Sequence, residues 1–211
     1  MRVLIACEFS GRVRDCFTHL GHDAWSCDLL PSERVGNHLQ CNVKEVLDQG
    51  WDLMVSHPPC TYLAVSGARW WSEKQKEQVD AIEFAKALWA APINKIAIEN
   101  PVGILTKHLG EWSQIVHPYY FGDDEYKATC FWLKGLAPLR ATHGASPRLG
   151  LKESVHLEPP GPDRWKNRSR TPIGMAAAMA LQWGNDEEQI DAGLMAFLNK
   201  PEPYVKRRRV A

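Results

Sequence analysis

Apolar residues arrive along this chain in short bursts, each closed by polar, glycine or proline positions. RVLIACEF is a brief apolar run and predicts a buried strand. SGRVRDCFTHLG then reads as a turn and a helix closed by Gly21. HDAWSCDLLP predicts a second strand ending at Asp28 and Pro31. GNHLQCNV predicts a short third strand, followed by a short helix around KEVLDQG. WDLMVSHPP predicts a fourth strand. In SEKQKEQVDAIEFAKALWAAP, Val79, Ile82, Ala85, Leu88 and Trp89 recur at helical spacing, with Ser72 placed to cap the helix. NKIAIENP is a fifth strand and TCFWLKGL a later one. TPIGMAAAMALQWG predicts a small-residue helix opened by Pro172, and NDEEQIDAGLMAFLN a final amphipathic helix. Between residues 136 and 171 the periodicity decays into a Pro-, Gly- and base-rich stretch, expected to be a loop region rather than a second domain.

Strands alternating with helices imply an α/β fold with a mostly parallel sheet covered on both faces. In such sheets ligands bind beyond the carboxyl ends of the strands. Glu8, Asp28, Cys60 and Glu99 all fall at or just after predicted strand ends, so the sheet brings them to one edge. An acidic residue ending the second strand commonly holds a ribose hydroxyl pair, which makes Asp28 a candidate. The turn FSG allows close backbone approach through Gly11.

The segment WDLMVSHPPCTYLAVSG places a cysteine immediately after two prolines, where a strand stops and a site begins. A thiolate is a strong nucleophile once its pKa is lowered or a substrate is held against it. His57 lies three residues before Cys60, but a core or surface role is expected for it, and a protease-like Cys-His pair is not supported. The remaining use of a loop cysteine is addition to an electron-poor ring.

Composition narrows the picture. The chain has 211 residues and 45% apolar content, enough for one domain with a substantial core. No run of eighteen apolar residues exists, and MRVLIACEF is too short an apolar run for a signal peptide, so a cytoplasmic location is expected. The six cysteines form no C-x-x-C pair, which argues against zinc and for reduced thiols. Cys7, Cys27 and Cys130 lie in strand-like segments and read as small buried hydrophobes. Net charge is zero but uneven: residues 1–126 carry 11 Lys/Arg against 17 Asp/Glu, and residues 127–211 carry 14 against 8. The excess of positive charge in the second part, ending in KRRRVA, fits either an anionic partner such as nucleic acid or a solvated surface with a basic tail.

PPCTYLAVSG resembles the Pro-Cys loop of the DNA (cytosine-5)-methyltransferases, and IAIENP resembles their strand-borne Glu-Asn pair. EFSG resembles their cofactor turn, YYFGDDEYKATCFWLKG their later Gln- and Arg-bearing segment, and PIGMAAAMALQWG their C-terminal Gly-Asn helix. Order and spacing agree over residues 1–135, and more weakly over 170–184. The chain looks like a small, bacteriophage-type member without a full target-recognition domain. The resemblance implies a Rossmann-like S-adenosylmethionine-dependent methyltransferase fold, with the catalytic domain over residues 1–184, residues 136–171 in place of the recognition domain, and a C-terminal helix and basic tail over 185–211.

It further implies that Cys60 adds to carbon 6 of a flipped-out cytosine in DNA while Glu99 holds and protonates ring N3. Asn100, Ser66 and Lys127 complete the catalytic set. S-adenosylmethionine is expected against Phe9, Ser10, Gly11, Asp28, Leu29, Asn42, Val43 and Pro58, with Asp28 on the ribose and Asn42 near the adenine. The chain departs from the pattern at Val13, Asn42, Ala64, Thr129 and Met175. The same chemistry on RNA or a free nucleotide, and a non-catalytic nucleic-acid-binding relative, are the alternatives. An amino-methyltransferase is disfavoured, because those place an aromatic where this chain has Cys60.

Overall fold

A computed structural model describes residues 1–143, 151 and 158–185. Seven strands form one sheet: β1 (Arg2–Ala6), β2 (Asp23–Asp28), β3 (His38–Gln40), β4 (Leu53–Ser56), β5 (Lys95–Pro101), β6 (Gln114–Val116) and β7 (Thr129–Lys134). Their order is β3-β2-β1-β4-β5-β7-β6. The first five run parallel, whereas β7 is antiparallel to both β5 and β6. The helices are α1 (Arg12–His19), α2 (Gln75–Trp89), α3 (Thr106–Leu109), α4 (Arg164–Ser169) and α5 (Ile173–Gly184). This is the expected Rossmann-like α/β fold, a single domain with a mostly parallel sheet.

The period of two along each strand divides the core between the two faces. Val3 and Ile5 of β1, Leu53 and Val55 of β4, Ala97 of β5 and Phe131 of β7 pack with Val13 and Phe17 of α1 and with Met175, Ala176, Met179 and Trp183 of α5. Leu4, Met54, Ile96, Ile98 and Trp132 point the other way and pack with Ile82, Ala85 and Leu88 of α2. The small residues of α5 let it lie close to α1 and the sheet. Asp123 accepts hydrogen bonds from the backbone N–H groups of Gly174 and Met175 at 3.0 and 3.1 Å, satisfying the start of that helix.

Several expectations need correcting. Helix α2 begins at Gln75 with Lys74 as its cap residue, so Ser72 does not cap it, and Val79 faces solvent. The helix around KEVLDQG is only a single 3-10 turn at Val43–Glu45, capped by Asn42. Cys7 is half-buried and lies past the end of β1 with φ of 60°, in the turn rather than the strand. Cys27 and Cys130 are buried as expected. The 136–171 stretch contains α4, whose RWKNRS sequence has no apolar period to announce it. The final amphipathic helix and the KRRRVA tail lie outside the described residues. Among the described residues no helix is long and apolar enough to cross a membrane.

Candidate active site

The turn after β1 forms one half of the site. Gly11 has φ of 68°, a left-handed conformation that glycine adopts without a side-chain penalty. The buried Glu8 carboxylate then accepts the N–H groups of Val13 at 2.7 Å and Arg14 at 3.2 Å, and the Ser10 hydroxyl donates to it at 3.1 Å. Glu8 therefore fills the anion position at the start of α1. Arg14, 1% exposed, reaches out of α1 to bond Ser26, Ser32 and Asp15, which ties the 32–37 loop to the turn.

Beside this turn, Asp28 ends β2 half-buried. Burial raises its carboxyl, and the Leu30 N–H donates to it at 2.9 Å. Phe9 is buried and Leu29 is 73% exposed. The Asn42 side chain is engaged with the Lys44 N–H at 3.1 Å, and the Val43 side chain enters the core. Asn42 is exposed and that bond uses only its side-chain oxygen, while Val43 is buried.

A cofactor carrying a pyrophosphate needs free N–H groups at the first helix, and Glu8 occupies them. A ligand without a phosphate needs none of those N–H groups, and the half-buried Asp28 could take the hydroxyls of a ribose. The residues present therefore suit S-adenosylmethionine better than a dinucleotide.

The other half gathers around the ends of β4 and β5. Val55 pairs with Ala97 and Ser56 with Ile98. Two residues beyond Val55 and Ala97, on the same face, come His57 and Glu99, and His57 Nδ1 lies 3.3 Å from Glu99 Oε2. Both side chains are largely buried, at 8% and 12% exposure. Lys127, just ahead of β7, brings its Nζ to 4.0 Å from Glu99 Oε1. Burial pushes the Glu99 carboxyl up, but the Lys127 ammonium and the His57 hydrogen bond outweigh it and hold the group below the usual carboxylate range. Oε1 is enclosed and has no hydrogen bond among the described residues.

Asn100 points to the opposite face and donates from Nδ2 to the Pro58 carbonyl at 2.9 Å. It thereby fixes the Pro-Pro entry to the cysteine loop. Pro58 itself is buried. The Cys60 carbonyl accepts the N–H groups of Leu63 and Ala64, both at 3.0 Å, so the chain turns tightly after the thiol. The loop then docks on the chain after β5: Val65 N–H donates to the Val102 carbonyl and Ile104 N–H to the Leu63 carbonyl. Gly103 has no room for a Cβ, since one would meet the Leu63 carbonyl oxygen. Cys60 is exposed, yet its crowded thiol is pushed up by burial. Lys127 and Arg168 of α4 pull it down, and Glu99 pushes it up. Ser66 is exposed on the 3-10 segment Val65–Trp70, beyond that turn.

The sheet edge thus brings Glu99, Lys127, Cys60 and Asn100 together, with Phe9, Gly11 and Asp28 on the neighbouring turns. Sequence reasoning missed two participants. His57 follows Val55 as Glu99 follows Ala97, a match that shows only once the β4–β5 register is known. Arg168 was not readable, because nothing in RWKNRS says that it folds back over the thiol. Helix α4 is held there by Arg170, paired with Glu33 at 2.6 Å, by Arg12 donating to the Thr171 carbonyl at 3.0 Å, and by the Trp165 ring, 6.2 Å from Phe9.

No protein-family model matches this chain, and no curated protein sequence matches it. Among solved structures, it is similar to a protein described as a DNA modification methyltransferase encoded within a prophage of E. coli. The two are 14% identical, with a TM-score of 0.43, over 63% of this chain and 46% of that one. The match spans less than half of that neighbour, and a likeness this slight transfers no residue role.

Proposed function

We propose that this chain transfers a methyl group from S-adenosylmethionine to carbon 5 of cytosine in DNA through a covalent adduct at Cys60. The observation that carries this reading is the juxtaposition of Cys60, on a loop pinned by Asn100, with the buried Glu99 carboxylate. That pairing of thiol and carboxyl suits addition to a pyrimidine ring. A thiolate bonding to carbon 6 pushes the ring electrons toward N3, and an acid at N3 accepts them. Cys60 is the nucleophile and Glu99 the group at N3. Asn100 positions the loop, and Lys127 stabilises negative charge developing on the thiolate and carboxylate.

S-adenosylmethionine held against Phe9, Gly11 and Asp28 supplies the electrophilic methyl group. Loss of the carbon 5 proton then lets the Cys60 bond break and restores the ring. A ring approaching Glu99 Oε1 has to displace the Lys127 ammonium, whose side chain is partly exposed and long enough to swing away. A cytosine in duplex DNA must leave its stack for carbon 6 to meet the Cys60 thiol while its N3 meets Glu99.

The test is the modified base. DNA from cells expressing the chain is digested and its nucleosides identified by mass spectrometry. The reading predicts 5-methyldeoxycytidine, absent with Cys60→Ser. A methyl group on the exocyclic nitrogen of cytosine or adenine contradicts it.

A further inference from the structure

We propose that His57 is the proton source for Glu99, a positioning residue that loads the carboxyl with the proton delivered to the base; this rests on the reading of Cys60 and Glu99 above. Attack on carbon 6 needs a proton at N3, but a carboxylate held anionic by its neighbours has none to give. Some adjacent group must supply it.

His57 has the geometry. The β4–β5 register puts it level with Glu99 on one face of the sheet, and its Nδ1 is 3.3 Å from Oε2. An ionised carboxylate only accepts, so Nδ1 carries the hydrogen. The opposite nitrogen, Nε2, is enclosed without a hydrogen-bond partner among the described residues, so a second ring proton finds no acceptor there and an imidazolium at His57 is a ready donor to Glu99. The proton balance closes. His57, doubly protonated, passes its Nδ1 proton to Glu99 and becomes neutral, and the carboxylate becomes a carboxylic acid. A half-turn of the carboxyl presents that proton to N3 as the sulfur–carbon bond forms. When the Cys60 bond breaks, the proton leaves N3 and returns through Glu99 to His57. The Cys60 thiol gives its own proton to solvent as the sulfur–carbon bond forms and takes one back when that bond breaks, and the proton lost from carbon 5 goes to solvent, as net methyl transfer requires.

The charged and titratable groups facing this pair come from several elements. Lys127 approaches Oε1 from ahead of β7, Cys60 lies on the Pro-Pro loop, and Cys130 comes from β7. Arg168 on α4 acts on the thiol. Lys127 is the competing proton source, so the test must separate it from His57.

The experiment follows kcat for methyl transfer to a mixed-sequence DNA duplex pool against pH, in wild type, His57→Asn and Lys127→Met. Asparagine keeps an N–H donor near the Nδ1 position but cannot ionise. Wild type should lose rate on the alkaline side as the His57–Glu99 pair gives up its shared proton. His57→Asn should turn over roughly 100-fold more slowly and lose that alkaline limb. Lys127→Met should keep the limb. A limb that persists in His57→Asn, or disappears in Lys127→Met instead, overturns the relay.

A second measurement needs no variant. An NMR titration of wild type, labelled at histidine nitrogen and glutamate carboxyl carbon, should show His57 and Glu99 moving together in one step. Two unrelated steps overturn the relay. If wild type makes no 5-methyldeoxycytidine at all, the reading of the site fails and the relay fails with it. If the product forms but His57→Asn behaves like wild type, only the relay fails.

Discussion

Cys60 stays protonated in the free protein because crowding disfavours its thiolate more than Lys127 and Arg168 favour it. In the proposed reaction, reactivity is drawn out by the bound ring rather than stored in the resting thiol. Alkylation of Cys60 by iodoacetamide should accelerate as pH rises, and Lys127→Met should shift that curve to higher pH, because one of the two stabilising cations is gone. An unchanged curve would remove Lys127 from the thiol's surroundings. Asn100 acts differently. Its Nδ2 holds the Pro58 carbonyl, and proline restricts both its own backbone and that of the residue before it. Asn100→Ala leaves that buried carbonyl unpaired, at a cost of about 1–3 kcal/mol. Thermal denaturation should show this loss, and turnover should fall further than stability alone explains. Asn100→Asp should not rescue, since a carboxylate cannot donate to the carbonyl.

At the scale of elements, α4 is the piece whose position matters most and whose attachment is thinnest. Glu33 is held below the usual carboxylate range chiefly by its hydrogen bond to Arg170. A depressed carboxyl stabilises the docked state above the ordinary glutamate range, and that contribution is lost as pH falls below it. The pair is partly exposed, so its share is small, within about 1 kcal/mol. Glu33→Gln or mild acid should raise amide exchange over residues 164–171 without affecting β1 or β4. Uniform exchange across the domain would mean that α4 is not an independent element. The same contrast explains what was legible. The apolar runs of β1, β4 and β5 carry their own burial pattern, so they and the Pro-Cys loop could be read directly. Strand β3 is short but was announced by GNHLQCNV, whereas β6 has only three residues and α4 has six with no apolar stripe. Such segments are set by what they dock on, which local sequence does not encode. The same is true of the partnership of Arg168 with Cys60. His57 was hidden for another reason: its role depends on register between two strands forty residues apart.

For the molecule as a whole, charge and shape divide the labour. The first 126 residues are acidic and build six of the seven strands, while the positive excess lies from residue 127 onward, where β7 also falls. Lys127 and Arg168 bring part of that excess to the thiol. DNA affinity should fall steeply with added salt, as counterion release requires, and Lys166→Ala with Arg168→Ala should make that slope shallower. An affinity indifferent to salt would contradict an electrostatic grip. The proposed function, with residues 136–171 standing where a recognition domain would be, expects short or relaxed sequence preference, and tight discrimination of one long site would contradict it.

The most direct measurement is covalent trapping. A DNA duplex pool with 5-fluorodeoxycytidine in place of cytosine is incubated with the protein and S-adenosylmethionine, and the products are resolved by denaturing gel and intact mass. Fluorine at carbon 5 cannot leave as a proton does, so a true carbon-5 transfer stops with the methylated ring still bonded to sulfur. The account predicts a stable protein–DNA adduct at Cys60 in wild type, and none in Cys60→Ser or without S-adenosylmethionine. No adduct from an active wild-type protein, or methyl transfer by Cys60→Ser at a comparable rate, would contradict it.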